Sequence, residues 1–183
     1  VVRDVAKKLA ALGHRVEEGS PPIGELDEVV PIWQRQLARV PFARDRVLQP
    51  VTRWLREKGR KHDDAEIMRR AANIAARALA WFGDADLWVT PTMPIPPPKI
   101  GQWQGLGPEE TFKGAAVMGA FTALFNLTGQ PAISVPAAVS KEGHPIGVQL
   151  VGRVGADGLV LEVARQLEEE LRWVDRHVRH AYA

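Results

Sequence analysis

Apolar residues recur at steps of three and four at the start of the chain, where Val2, Val5, Leu9 and Leu12 form one stripe before Gly13. That period predicts a helix with a single buried face, stopped by a glycine free to take the left-handed conformation. His14 to Glu18 is short enough for a strand or an extended exit, and Ser20-Pro21-Pro22 predicts a turn. From Gly24 to Gly59 the pattern is mainly helical but interrupted by Pro31, Pro41 and Pro50. Each proline removes a backbone donor and is expected to end or kink a helix near the residue before it, so several short helices are predicted. Asp63-Asp64-Ala65-Glu66 has the form of a capping box, and the helix it opens is expected to run to about Trp81 and stop at Gly83. Its buried stripe is Ile67, Ala71, Ile74, Ala78 and either Trp81 or Phe82.

Period two and turn signals take over in the second half. Asp86 to Thr90 is a short apolar run between turn signals, which predicts a buried strand. Pro91, Pro94, Pro96, Pro97 and Pro98 then predict an ordered, extended loop crossing a surface or the mouth of a cleft. Pro108, followed by Glu109 and Glu110, suits the first turn of a helix that turns Phe112, Ala116 and either Phe121 or Met118 inward. Ala132 to Val135 and Ile146 to Val151 predict two further buried strands, joined through the turn from Ser140 to Pro145. These strands can pair as neighbours, with the register left open by the length of the connection. Asp157 is the expected cap of a last helix with Val160, Val163, Ala164, Leu167 and Leu171 on its apolar side. Helices interleaved with short buried strands indicate an α/β layered architecture. A single domain over 1–183 is expected, with a mainly helical region at 24–83 and core strands and helices at 84–183.

Composition narrows the class of function. At 183 residues, 45% hydrophobic and 25% charged, the chain can bury a real core. A formal net charge of +2, from 24 basic and 22 acidic residues, asks for neither nucleic acid nor an anionic membrane surface. The absence of cysteine excludes disulfides, thiolate metal sites and a cysteine nucleophile, and leaves the cytoplasm as the default location. No apolar run approaches the roughly 18 residues that span a bilayer, and the N-terminus lacks the layout of a signal peptide. The chain starts at Val1, without an initiator methionine or a capping residue ahead of its first helix, which suggests that sequence has been lost upstream, with ordinary removal of the initiator methionine as the alternative.

Candidate chemistry is sparse. A serine hydrolase needs a hydroxyl, a base within reach and donors aimed at the oxyanion. Only Ser20, Ser134 and Ser140 are present. Ser20 sits in a turn, Ser134 in an apolar strand where its hydroxyl most simply satisfies a neighbour, and Ser140 beside Lys141 in a turn whose side chains diverge. No Gly-x-Ser-x-Gly elbow occurs. His14, His62, His144, His177 and His180 read as surface histidines; His177 and His180 share a helical spacing but lack further ligands for zinc. Asp84 and Asp86 could pair as carboxylates only if both lay in the strand, and a turn role suits Asp84 better. Between Arg35 and Lys61 nine basic residues stand against Asp45 and Glu57, which is the best local case for an anion-binding surface. Trp33, Leu37, Phe42, Val47, Leu48, Val51, Trp54 and Leu55 interleave with them at roughly helical spacing, so the solvated face of core-packed helices is the favoured reading and a nucleic-acid partner is not expected.

Four ordered blocks carry a resemblance. They are Asp86-Leu87-Trp88-Val89-Thr90-Pro91-Thr92, then Pro97-Pro98-Lys99-Ile100-Gly101, then Phe121 to Pro136 with Asn126-Leu127-Thr128-Gly129-Gln130-Pro131 inside it, and last Gly143 to Gly152. In order and spacing they resemble the C-terminal core of the amidase-signature family, serine hydrolases that cleave carboxamides. Thr52-Arg53, Gly59-Arg60 and Trp173-Val174-Asp175-Arg176 look most like bacterial amidases related to aryl-acylamidases and 6-aminohexanoate cyclic-dimer hydrolases. The resemblance implies helices packed on a mixed sheet, as the C-terminal portion of a larger amidase domain. It also implies a serine nucleophile, a second serine in a cis peptide and a lysine, without metal or organic cofactor. Those three residues belong to a glycine- and serine-rich segment nearer the N-terminus that has no counterpart here, so no residue is assigned as catalytic.

Strand-end loops and rigid proline turns are where an α/β sheet presents binding residues. Thr92, Met93, Pro94, Ile95, Asn126, Thr128, Gly129 and Gln130 are therefore the candidates for a substrate-pocket rim. The competing reading makes Gly129 the left-handed end of a helix, with Asn126 or Thr128 bonding backbone around it. The resemblance implies a small amide substrate and, as partner, an N-terminal amidase portion carrying the catalytic residues. Exposed apolar area left by its absence favours an oligomer or a complex over a free monomer. The alternatives are a non-catalytic structural or interaction module of the same fold, and the amide-transferring subunit of a transfer-RNA-dependent amidotransferase.

Overall fold

The computed structural model describes residues 1–20, 26–42 and 44–173. Most of the turn at Pro21-Pro22, the start of the helical region at Gly24, and His177 and His180 lie outside the described residues. Among the described residues seven α-helices pack on a small sheet: α1 (Val2–Ala11), α2 (Leu26–Arg39), α3 (Pro50–Gly59), α4 (Asp64–Trp81), α5 (Pro108–Ala116), α6 (Ala123–Thr128) and α7 (Asp157–Leu171), with β1 (Leu87–Pro91), β2 (Ala132–Val139) and β3 (Pro145–Gly152). Among the described residues the strands form one antiparallel sheet in the order β1-β3-β2. No helix among the described residues is long and apolar enough to cross a membrane.

Local signals account for most element ends. Asp63 caps α4 by accepting from the Glu66 amide at 2.9 Å, and Gly83 follows the helix at φ 50°. Pro50 opens α3 rather than ending a helix, since its missing donor falls where no partner is needed. Pro31, expected to end or kink a helix near Val30, lies inside α2. The carbonyl it leaves without an amide is that of Asp27, and Arg70 Nη1 reaches that oxygen at 3.5 Å. Asp157 is the first residue of α7 and makes no capping bond; Ala156 stands at the cap. The two strands Ala132 to Val135 and Ile146 to Val151 are each longer than predicted and form a hairpin, closed by Ser140 N–H to the His144 carbonyl at 2.8 Å. His14 to Glu18 is an extended exit without strand pairing.

Two apolar cores flank the sheet. On one face Val135, Val148 and Leu150 meet Val5 and Leu9 of α1 and Val160, Val163, Leu167 and Leu171 of α7. On the other, Trp88 and Val151 meet Ile32 of α2, Ile67, Ile74 and Ala78 of α4, Phe82, and Leu124 and Phe125 of α6. Phe82, rather than Trp81, completes the α4 stripe: it is 2% exposed and stacks on Trp88 with ring centroids 4.6 Å apart. Trp81 meets the same indole edge-on at 4.4 Å from the rim of the core. Helices α2 and α3 touch backbone to backbone, because a Cβ on Gly59 would collide with the Gln34 carbonyl.

Candidate functional site

The face of the sheet that carries Trp88 and Val151 changes character along its length. Strand alternation puts Trp88, Thr90 and Thr92 from β1 and its exit on this face, with Gly147, Gln149 and Val151 from β3 and Ala132, Ser134 and Pro136 from β2. Thr90, Gln149 and Ser134 stand side by side in register. The Gln149 side chain, 5% exposed, donates to Thr90 Oγ1 and to the Phe121 carbonyl, both at 3.0 Å. Those two bonds tie the segment before α6 down onto the sheet. One strand-step further, Thr92 Oγ1 and Ser134 Oγ are 2.7 Å apart in an exposed pair. Gly147 lies beneath them, and a Cβ there would fall 2.6 Å from Ser134 Oγ and 3.0 Å from Thr92 Oγ1. A glycine is thus required for the two hydroxyls to meet. Ala132 and Ser134 are both exposed, so this face is covered over β1 and open over β2.

The eight rim candidates fall into two groups. Thr92, Met93, Pro94 and Ile95 leave β1 beside Gly147, with Thr92 N–H donating to the Gly147 carbonyl at 3.3 Å; Met93, Pro94 and Ile95 are exposed. Gln130 belongs to the opposite end of β3, where its Nε2 donates to the Gly152 carbonyl at 2.8 Å. At about 3.4 Å per strand residue, five steps separate the two ends by roughly 17 Å. Gly129 has φ 69° and closes α6 by donating to the Phe125 carbonyl at 3.0 Å, and Thr128 Oγ1 donates to that same oxygen at 3.4 Å. Asn126 is exposed on α6. Gln130 is 7% exposed, and its Oε1 has no partner among the described residues; nor has the indole N–H of Trp88.

None of the three serines is set up as a nucleophile. Ser140 Oγ accepts from the amides of Glu142 and His144, each at 3.2 Å, and so holds the hairpin turn. Ser134 is engaged with Thr92, and Ser20 is exposed before residues outside the described set. His14 pairs with Gln166 and His62 with Gln34, each at 2.8 Å, while His144 lies in the hairpin turn. Asp84 and Asp86 are exposed and both precede β1. Among the described residues no cluster of His, Cys, Asp or Glu could hold a metal ion. A shallow cavity of about 240 Å³ between α1 and α7 is lined by Leu12, Gln166, Glu169 and Glu170, none of them a rim candidate.

Part of the basic stretch is spent on structure. Arg56 is 4% exposed; it donates to Asp45 Oδ1 at 3.1 Å and to the carbonyls of Leu37 and Val40, with its guanidinium 4.9 Å from the Phe42 ring centre. Arg60 pairs with the other oxygen of Asp45 and, as the largest influence, holds that carboxyl below its usual range. Arg35 clamps Asp64 at 2.6 and 2.8 Å and lowers its pKa in the same way. These ion pairs lock α2, α3, α4 and the loop between them, and they withdraw three of the nine cations from service to an anionic ligand.

The open polar strip was not singled out from the sequence, although its signal is there. In Ile146 to Leu150 the small or polar residues occupy alternate positions, and Ser134 interrupts Ile133 and Val135 in the same way.

Comparison with known proteins accords with this geometry. The family model described as Amidase matches residues 1–161. A 6-aminohexanoate-cyclic-dimer hydrolase of Paenarthrobacter ureafaciens is 35% identical over 95% of this chain and 40% of its own length. The structure of a 6-aminohexanoate cyclic dimer hydrolase complexed with substrate aligns with TM-score 0.81 at 30% identity, over 95% of this chain and 41% of that one. A glutamyl-tRNA(Gln) amidotransferase chain of Thermotoga maritima aligns with TM-score 0.65 at 26% identity, over 92% of this chain and 37% of that one. The chain thus spans about 40% of the length of the curated hydrolases it matches. A family match across most of the chain, together with this agreement in fold, shows that the chain belongs to the amidase family, with the helices-on-sheet architecture of the amidase-signature enzymes.

Proposed function

We propose that this chain is the C-terminal portion of a serine amidohydrolase that cleaves carboxamide C–N bonds, with the nucleophilic serine, its partner serine and the lysine supplied from outside the chain. The observation that carries the reading is the conjunction of a family match over residues 1–161 with serines that have no base: Ser134 is bonded to Thr92 and Ser140 to backbone amides. In this reading the chain supplies one flank of the sheet and part of the pocket wall. Thr92, Met93, Pro94 and Ile95 would form one lip of that wall, and Asn126, Thr128, Gly129 and Gln130 a second. The separation between the two groups suits an elongated amide better than a compact one. A cytoplasmic location belongs to the same proposal, supported by a chain without cysteine that needs no oxidising compartment. So does assembly with the catalytic portion or with further copies of the chain.

The test is complementation. The chain alone is expected to give no hydrolysis of the 6-aminohexanoate cyclic dimer or of an aryl amide above background. Mixed with the N-terminal portion of the Paenarthrobacter hydrolase, it is expected to restore turnover that depends on that portion's serines. Serine-dependent turnover by the chain alone would sink the reading. Association without turnover on any amide would favour a non-catalytic module. The Thermotoga likeness supports a second reading, an amide-transferring role, which predicts release of ammonia to a partner in place of simple hydrolysis.

A further inference from the structure

Helix α4 is apolar well beyond the arc that its core needs. At about 100° per residue, Ile74, Ile67, Ala78 and Ala71 span roughly 60° and face the second core. The next 100° or so hold Ala75, Met68, Leu79, Ala72, Ala65 and Ala76, with no charged residue among them. A helix packed by one side normally turns polar beyond its buried stripe. Here the charged residues that bind a neighbour gather on the opposite flank, where Arg70 reaches the Asp27 carbonyl and Arg77 the Glu28 carboxylate of α2. On the apolar flank Met68 is 66% and Leu79 42% exposed, and Ala65, Ala72 and Ala76 are exposed with them.

The order of large and small residues specifies what fits this flank. Ala65, Met68, Ala72, Ala76 and Leu79 recur at steps of three and four, the spacing of a seam between two helices. Two such seams laid antiparallel about Ala72 bring Met68 against Ala76 of the second helix and Leu79 against its Ala65, so each bulky side chain meets a small one. Laid parallel, they set Met68 on Met68 and Leu79 on Leu79 and leave gaps at the alanines. The antiparallel arrangement also places opposite ends of the two helix dipoles side by side. Arg69, the charged residue that borders the seam, then lies across from Ala75 rather than from its own copy, and no like charges are opposed.

We propose that this flank of α4 is the surface on which two copies of the chain associate, antiparallel and two-fold about Ala72. The inference gives a location to the association with further copies proposed above, and it does not depend on the hydrolase reading. A second copy is the fitting occupant because one sequence supplies both the knobs and the matching holes, in the mirrored order that a two-fold contact between identical surfaces requires. From Ala65 to Leu79 the seam is about 21 Å long. At the width of one helix it buries less than the roughly 800 Å² per partner of a stable complex. The contact is therefore a weak, reversible one, with a dissociation constant on the order of 10–100 µM.

Sedimentation equilibrium of the full chain, from about 5 to about 500 µM, reads the association directly. Ala72→Glu puts two like charges on the two-fold axis; it is expected to weaken the dimer at least tenfold while keeping the circular dichroism of the parent. Met68→Ala and Ala76→Met are each expected to weaken it at least threefold. Combined, they exchange knob and hole and are expected to restore the affinity to within threefold of the parent. The chain has no cysteine, so a single one reports the axis. Ala72→Cys is expected to give a disulfide-linked dimer under copper-phenanthroline oxidation, whereas Met68→Cys, about 12 Å along the helix from its own copy, is not. A chain that stays monomeric throughout, an Ala72→Glu variant that dimerises like the parent, a double variant no better than the singles, or cross-linking at Met68→Cys equal to that at Ala72→Cys would each overturn the surface. Displacement of the dimer by the N-terminal portion of the Paenarthrobacter hydrolase would also overturn it and assign the flank to that portion. None of these readouts involves amide turnover, so the hydrolase reading stands or falls separately, on complementation.

Discussion

The two faces of the sheet are finished to different degrees. Toward α1 and α7 the chain closes its own core: Leu150 and Leu167 are wholly buried among apolar side chains from both helices and all three strands. Toward α2, α4 and α6 only the part around Trp88 and Val151 is sealed, and the strip formed by Thr90, Gln149 and Ser134 passes from buried to exposed. A closed apolar face accounts for why the chain folds. The strip on the other face is polar, ordered by hydrogen bonds and open over β2, and its burial contributes little to folding.

Substitutions that weigh one face against the other sharpen this contrast. Leu167→Ala should have the largest effect, because it empties space in a fully buried position that neither α7 nor the sheet can refill; about 2–5 kcal/mol of unfolding free energy is expected to be lost in urea titration. A loss below about 1 kcal/mol would mean that the α7 face is looser than its burial indicates. Gln149→Leu should cost less, about 1–3 kcal/mol, because it takes the side-chain donor from the Phe121 carbonyl and leaves the buried Thr90 hydroxyl with only its bond to the Pro91 carbonyl. Its sharper readout is local: amides between Phe121 and Gln130 are expected to exchange faster while those of α7 are unchanged. Ser134→Ala should shift the folding stability by no more than about 0.5 kcal/mol, since its hydroxyl and that of Thr92 can both turn to solvent. A cost near that of Gln149→Leu would show that the strip is already closed over β2.

Much of the fold was legible because its signals are local. The stripes of α1, α4 and α7, the Asp63 cap, Pro108 at a helix start and the left-handed glycines at 13, 83 and 129 are decided within a few residues of chain. Misreadings came where a distant group changed the local balance. Pro31 lies within α2, where the orphaned Asp27 carbonyl is on an exposed residue and Arg70 of α4 approaches it at 3.5 Å. Arg56 looked like part of a solvated basic face, and burial among Asp45, Phe42 and two carbonyls is a property of how α3 meets the loop after α2. The choice of Phe82 over Trp81 depends on where Trp88 stands.

The sequence by itself determined which segments become helices and strands, and its ordered motifs pointed to the amidase family, because capping, period and turn chemistry act over short spans. Only the tertiary structure decided the strand order, the register and the pairing of Thr90, Ser134 and Gln149, residues drawn from three separate strands. The physical reason is that a one-residue slip in register exchanges the two faces of a strand, and register is set by both cores packing at once rather than by any strand alone.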